Sequence, residues 1–144
     1  MERNGMGRVL TEATIENLHD LWAVQEGRLA ADKVRRVTVD DALVDTGCTT
    51  LALPARLIQQ LGLSKQYDKR TRACTGPATV TVYDAVRLTI QGRYFSVDPM
   101  EVPDDVPVLI GQIPLEMLDL VVDVQGRRLT GNPAHGGEHV LEMY

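Results

Sequence analysis

Two stretches of this chain leave little choice about how it folds. Residues 42–47 read ALVDTG and residues 107–111 read PVLIG. In each, apolar residues run without alternation towards a glycine. A strand that is apolar on both faces has to be covered on both faces, so both stretches belong in the middle of a structure. Each is followed by the same device. Pro54 leads ARLIQQLG, in which Leu57, Ile58 and Leu61 share a helical face and Gly62 suits the residue just past a helix end. Pro114 leads a second short helix carrying Leu115 and Leu118. The plan of apolar strand, glycine and proline-led helix therefore occurs twice. Only the first copy carries a carboxylate, Asp45, between its strand and its glycine.

Most of the remaining chain reads as strand. In residues 7–17 the side chains of Val9, Thr11, Ala13 and Ile15 recur with period two. Residues 17–27 change character: Asn17 can cap a short helix, Asp20 stands at the capping-box spacing and Gly27 can stop it. Strand signals return at 34–39 and 42–44. Two more runs flank CTGP at 74–77, the second spanning 78–90. A turn at Gln91-Gly92 leads into 93–102, and Pro103 and Pro107 bracket the acidic turn Asp104-Asp105. A last hairpin is expected to turn at Gln125-Gly126, before a polar, glycine-rich tail. A length of 144 residues, with 44% hydrophobic and only 4% aromatic content, suits a single domain, and its core is expected to be aliphatic. The expectation is a mainly-β barrel or sandwich with one or two short helices.

Charge and cysteine content narrow the function. The formal charge is −5, with 20 acids against 15 bases, and the basic pairs Arg35-Arg36, Lys69-Arg70 and Arg127-Arg128 are scattered. Phosphate contacts need clustered cations, so no nucleic-acid partner is expected. The two cysteines, Cys48 and Cys74, lack the paired spacing of a structural zinc site, and no metal or other cofactor is expected. The start MERNGMGRVL has no apolar signal region, and no run approaches the roughly 18 apolar residues of a membrane span. No membrane partner is expected, and the expected location is cytoplasmic.

On its own, Asp-Thr-Gly after a buried strand describes an Asx turn: the carboxylate accepts backbone N–H groups and glycine permits close approach. The larger pattern says more. ALVDTGCTTLALP, the helix ending LGL and the later VLIG-plus-helix together, over roughly residues 7–130, resemble the retropepsin-like aspartic proteases, the bacterial, non-viral branch in particular. The resemblance implies a single retropepsin-like acid-protease barrel over residues 1–144, active as a two-fold dimer. It makes Asp45 the catalytic aspartate, Thr46 the residue whose hydroxyl bonds across the subunit interface, and Gly47 the loop glycine. Ile110 and Gly111 become the apolar-glycine pair beside that loop. A hairpin near Thr75 and Gly76 becomes the flap, a mobile lid over bound peptide. The sequence departs from the family at Cys48, where alanine is usual. It departs also at Thr49 and Gln112, where viral members often carry an ion pair; here both partners are neutral, so no unpaired charge remains. Residues 17–36 have no counterpart in the compact viral enzymes, and the tail from 131 to 144 is an extension.

The resemblance raises a question of number. Peptide hydrolysis of this kind needs two carboxylates sharing one proton, and the chain contains one Asp-Thr-Gly and no second Asp-Ser/Thr-Gly. The expected function is an aspartic endopeptidase in which a second copy supplies the partner Asp45 across a two-fold axis. The partners would then be a polypeptide substrate and the chain itself. The apolar ending HVLEMY is a candidate for the dimer interface. The alternative is a catalytically silent dimeric peptide-binding module of the same fold. Two other motifs carry less. His135, Glu138 and His139 spell the HxxEH string of inverted zinc proteases, but Gly136-Gly137 disfavours the helix that such a site needs by about 1 kcal/mol per glycine. A solvated tail with incidental histidines is expected instead. Cys48 has no histidine tied to it and reads as a small buried residue, and Trp22 as packing for the 17–36 segment.

Overall fold

The computed structural model describes residues 8–73 and 76–142. Among them one nine-stranded sheet has the order β4 (Lys65–Ala73), β5 (Gly76–Tyr83), β8 (Met100–Val102), β3 (Leu51–Pro54), β9 (Leu109–Ile110), β2 (Arg36–Val44), β1 (Leu10–Asn17), β6 (Val86–Ile90), β7 (Arg93–Val97). A separate two-stranded ribbon pairs β10 (Leu120–Asp123) with β11 (Arg128–Gly131). Three short α-helices accompany them, one more than expected. The protein is mainly β, and the sheet curls around a single aliphatic core. Ala13 and Ile15 of β1 (Leu10–Asn17), Leu51 and Leu53 of β3 (Leu51–Pro54), and Val86, Leu88 and Ile90 of β6 (Val86–Ile90) meet there with Leu115 and Leu118 of α3 (Gln112–Leu118).

The two apolar stretches meet at the centre of the sheet. The end of β2 (Arg36–Val44) runs parallel to β9 (Leu109–Ile110), with Leu43 opposite Leu109 and Val44 opposite Ile110. On its other side β9 lies antiparallel to β3. Burial is as expected at Val108 and Ile110, whereas Leu109 is only half-buried. β3 itself was hidden in the sequence. Its four residues LALP are all buried and carry no alternation to distinguish them from the start of a helix. Pro54 accordingly closes this strand opposite Val102 of β8 (Met100–Val102), in extended geometry, and α2 (Ala55–Gln60) begins one residue later.

The run 78–90 splits in two. β5 (Gly76–Tyr83) ends where the Asp84 N–H turns to the Ser64 carbonyl at 2.9 Å, and β6 starts at Val86. Similarly, 93–102 divides at Pro99 into β7 (Arg93–Val97) and β8. The Gln91-Gly92 turn joins β6 to β7 with both residues at positive φ, 53° and 78°, which is the two-residue hairpin geometry that matches strand twist. The last hairpin also forms, between β10 (Leu120–Asp123) and β11 (Arg128–Gly131). No helix among the described residues is long and apolar enough to cross a membrane.

Residues 17–36 form a tied-down excursion. Asn17 caps α1 (Leu18–Gln25) by accepting the Asp20 N–H at 3.0 Å, and Gly27 follows the helix at φ 78°. The reciprocal half of a capping box is absent. The Asp20 carboxylate turns to Arg35 instead, accepting its backbone N–H, Nε and Nη2 at 3.0, 2.8 and 2.9 Å. These contacts hold Asp20 below the usual carboxylate pKa range against the opposing effect of burial. Trp22 does not pack inward; it stands 47% exposed, edge-on to His19. The anchor is Asn17, whose Nδ2 donates to the Leu61 carbonyl at the end of α2 at 2.9 Å. Asn17→Ala removes the cap and leaves that carbonyl without its partner, so the unfolding free energy should fall by about 1–3 kcal/mol. Urea unfolding measures this, and an unchanged midpoint would show that Asn17 does not fasten the segment.

Candidate active site

After Val44 the chain leaves the sheet and turns through residues 45–50. The Asp45 N–H still bonds to the Ile110 carbonyl at 2.9 Å, extending the β2–β9 pairing by one residue. The Asp45 Oδ1 then accepts the Gly47 N–H at 3.0 Å, and the Asp45 carbonyl accepts the Cys48 N–H at 2.9 Å. That is the Asx turn expected of Asp-Thr-Gly.

The far half of the loop is held by α3. The N–H groups of Gly111, Gln112 and Ile113 donate to the carbonyls of Thr50, Cys48 and Thr49 at 3.0, 2.8 and 2.9 Å. The first four N–H groups of a helix have no partner within it. Here the loop takes three, and the fourth does not exist because the residue is Pro114. No side chain caps this helix; the loop does so with its backbone. This is why α3 begins at Gln112 rather than at Pro114. It is also why position 111 is glycine. A Cβ there would lie 2.4 Å from the Thr50 carbonyl oxygen and 2.5 Å from that of Cys48.

The structure thus brings Asp45, Thr46 and Gly47 together with Ile110 and Gly111. Their burial is graded. Ile110 and Gly111 are buried, Asp45 is half-buried, and Thr46 and Gly47 are exposed. The apolar flanks bury the root of the loop, but its tip lies open in the single chain. Cys48 is a free thiol that donates to the Thr50 carbonyl at 3.4 Å. Burial pushes its pKa up, which opposes a nucleophilic role. Gln112 directs its amide to Glu116 one turn along α3, at 3.1 Å.

Facing the loop is a long hairpin of β4 (Lys65–Ala73) and β5, paired from Lys65 with Tyr83 to Ala73 with Gly76. Of the two expected lid residues, Gly76 opens β5, while Thr75 lies outside the described residues, as does Cys74. A hollow of about 230 Å³ separates Thr49, Thr50 and Ile113 on the loop side from Tyr67, Lys69 and Thr71 on the hairpin.

The histidine string in the tail forms no metal centre. His135 Nδ1 lies 2.6 Å from the Asp119 carboxylate and His139 Nε2 lies 3.0 Å from the Met117 carbonyl, so the two rings serve different partners. Among the described residues no group of three or more histidine, cysteine or acidic side chains is placed to hold a metal ion. Nor is His135 incidental. Its side chain is 16% exposed, and its contact with Asp119 is a structural element that the sequence did not signal.

The sequence model of the family described as "Aspartyl protease" matches residues 32–121, which is more than half of the chain and includes the whole of the loop and α3. The chain belongs to the aspartyl protease family. Among solved structures it is similar to the simian foamy virus (mac) protease, with 17% identity, a TM-score of 0.47, and coverage of 76% of this chain and 93% of that one. It is similar too to the EIAV protease solved with the inhibitor HBY-793, with 17% identity, a TM-score of 0.49, and coverage of 81% and 92%. No curated protein matches its sequence.

In this member of the aspartyl protease family the geometry of the loop depends on position 111. Gly111→Ala forces a methyl group against two backbone carbonyls and should cost about 1–3 kcal/mol of stability. Gly47→Ala should cost less, because its Cβ would meet only the Asp45 carboxylate, at 3.2 Å. Thermal unfolding of the two variants tests the order, and the reverse order would contradict this account of the loop.

Proposed function

We propose that the protein is an aspartic endopeptidase whose active site is completed by a second copy of the chain. One observation carries this reading. The only Asp-Thr-Gly of the sequence is bonded to β9 through the Asp45 N–H, and the three residues after it are bonded to α3, yet its tip, Thr46 and Gly47, lies open on the surface with Asp45 beside it. A rigidly held, uncovered half-site suits a two-fold partner that presents the same residues. In the homodimer the two Asp45 carboxylates stand close enough that they cannot both ionise freely, so they share one proton, a pattern for which aspartic proteases are the known example. The ionised carboxylate takes a proton from a water molecule, whose oxygen attacks the peptide carbonyl. The protonated carboxylate donates its hydrogen bond to the carbonyl oxygen. A proton then passes to the leaving nitrogen as the C–N bond breaks, giving a carboxylic acid and an amine.

In this reading Thr46 bonds across the two-fold axis, Gly47 keeps the loop close to the substrate backbone, and Ile110 and Gly111 hold it from beneath. The β4–β5 hairpin, on which the resemblance puts the lid residues Thr75 and Gly76, covers an extended polypeptide lying over the loop. All 144 residues form one domain, with 17–36 an addition fastened to α2 through Asn17 and Leu61.

The test compares the purified protein with Asp45→Asn on peptide libraries. Wild type should cleave, and the variant, which loses both carboxylates of the dimer at once, should lose at least about a thousandfold in kcat. Cleavage that survives the substitution would remove the aspartic mechanism. A dimeric wild type that binds peptides without cleaving them would make the protein a binding module.

A further inference from the structure

The C-terminal segment carries more fixed interactions than a tail needs. Asp119, directly after α3, adopts left-handed geometry at φ 54° and is 7% exposed. Its carboxylate accepts Asn132 Nδ2 at 3.1 Å and the Val140 N–H at 3.0 Å, and it meets His135 Nδ1 at 2.6 Å. Its carbonyl accepts the Asn132 N–H at 3.1 Å and Arg93 Nη1 at 2.8 Å. Arg93 also donates to the Leu118 carbonyl at 3.0 Å and to the Gly137 carbonyl. Gly131 packs so closely on the Gly137 carbonyl that a Cβ there would lie 2.3 Å from it. Ordering a polar, glycine-rich segment costs roughly 1–2 kcal/mol per residue, and these contacts offset that cost around one buried carboxylate.

The clasp fixes where the segment goes. Val140, Leu141 and Glu142 line a cavity of about 530 Å³ whose other walls include Gln112 and Leu115 of α3, and Thr46 of the catalytic loop. The same part of the molecule exposes three large apolar side chains: Met117 (39%) on α3, whose carbonyl meets His139 of the tail, and Val140 (43%) and Leu141 (46%) on the tail itself. A tail that folded back to shield α3 would bury its own apolar residues. This one keeps them outward, beside the open half-site.

We propose that Asp119 is a positioning residue for assembly of the active site: by clasping Asn132, His135 and Val140 it sets the C-terminal segment beside Thr46, where Val140 and Leu141 join Met117 in the surface that receives the second copy of the chain. The inference rests on the dimeric reading above and names the face and the residue that shape it. The second copy is the occupant because the site continuous with this face lacks a carboxylate that only another Asp45 supplies. Electrostatics reinforce the clasp. Burial alone would raise the pKa of Asp119, but the bonds from His135, Val140 and Asn132 outweigh it and hold the value at about 2. The same contact with Asp119 raises His135, so both shifts favour the ionised pair.

Two variants test the proposal by sedimentation over a range of protein concentrations, with circular dichroism to follow folding. Asp119→Asn keeps the left-handed residue, which asparagine tolerates, and removes the charge at the centre of the clasp. Leu141→Glu leaves the clasp intact and puts a charge on the apolar face. Both should remain folded and weaken dimerisation by about tenfold or more, and their cleavage activity should return as protein concentration is raised. A purely local structural role for Asp119 would give no such recovery with concentration. If the wild type dimerises and both variants dimerise with wild-type affinity, this inference fails and the dimeric mechanism stands. A wild type that stays monomeric overturns both.

Discussion

Three backbone hydrogen bonds, from the N–H groups of Gly111, Gln112 and Ile113 to the carbonyls of Thr50, Cys48 and Thr49, join the start of α3 to the loop that bears Asp45. They satisfy both sides at once. A helix start left open to the interior would strand its N–H groups, and a loop leaving the centre of a sheet would strand its carbonyls. The junction itself is made by backbone groups alone. Glycine at 111 is the consequence, since the two backbones approach too closely for any Cβ.

That junction explains why the two similar stretches of sequence are unequal. VLIG and its helix form the platform, and the loop that follows LVD rests on it. β2 and β9 run side by side, and the parallel pairing of Leu43 with Leu109 and Val44 with Ile110 delivers both glycine-containing turns to the same edge of the core. A carboxylate is useful on only one of them. The tip that results, Thr46 and Gly47, lies exposed, and Asp119 with the residues it clasps lines a cavity that Thr46 also borders.

Much of this was legible in the residues. Period-two burial along β1, the Asn17 cap, the turns at Gln91-Gly92 and Gln125-Gly126 and the Asp-Thr-Gly loop all rest on local rules, and local rules act within a few residues. The departures share a cause. α3 starts two residues before its proline because a loop sixty residues earlier in the chain caps it. β3 is a strand because β8 and β9 flank it. Asp20 abandons the capping box because Arg35 returns to meet it. Asp119 left no trace in the sequence, since its partners lie 13 to 21 residues away in a segment whose composition suggests solvent.

The central claim is that one active site takes one Asp45 from each of two chains. Subunit mixing tests it most directly. Wild-type and Asp45→Asn chains are unfolded together, refolded in varying ratio at constant total protein, and assayed for peptide cleavage. If both aspartates are required, only dimers of two wild-type chains work, and the rate follows the square of the wild-type fraction, falling to about one quarter in an equal mixture. A rate that falls in simple proportion, to about one half, would mean that each chain acts alone and would contradict the account.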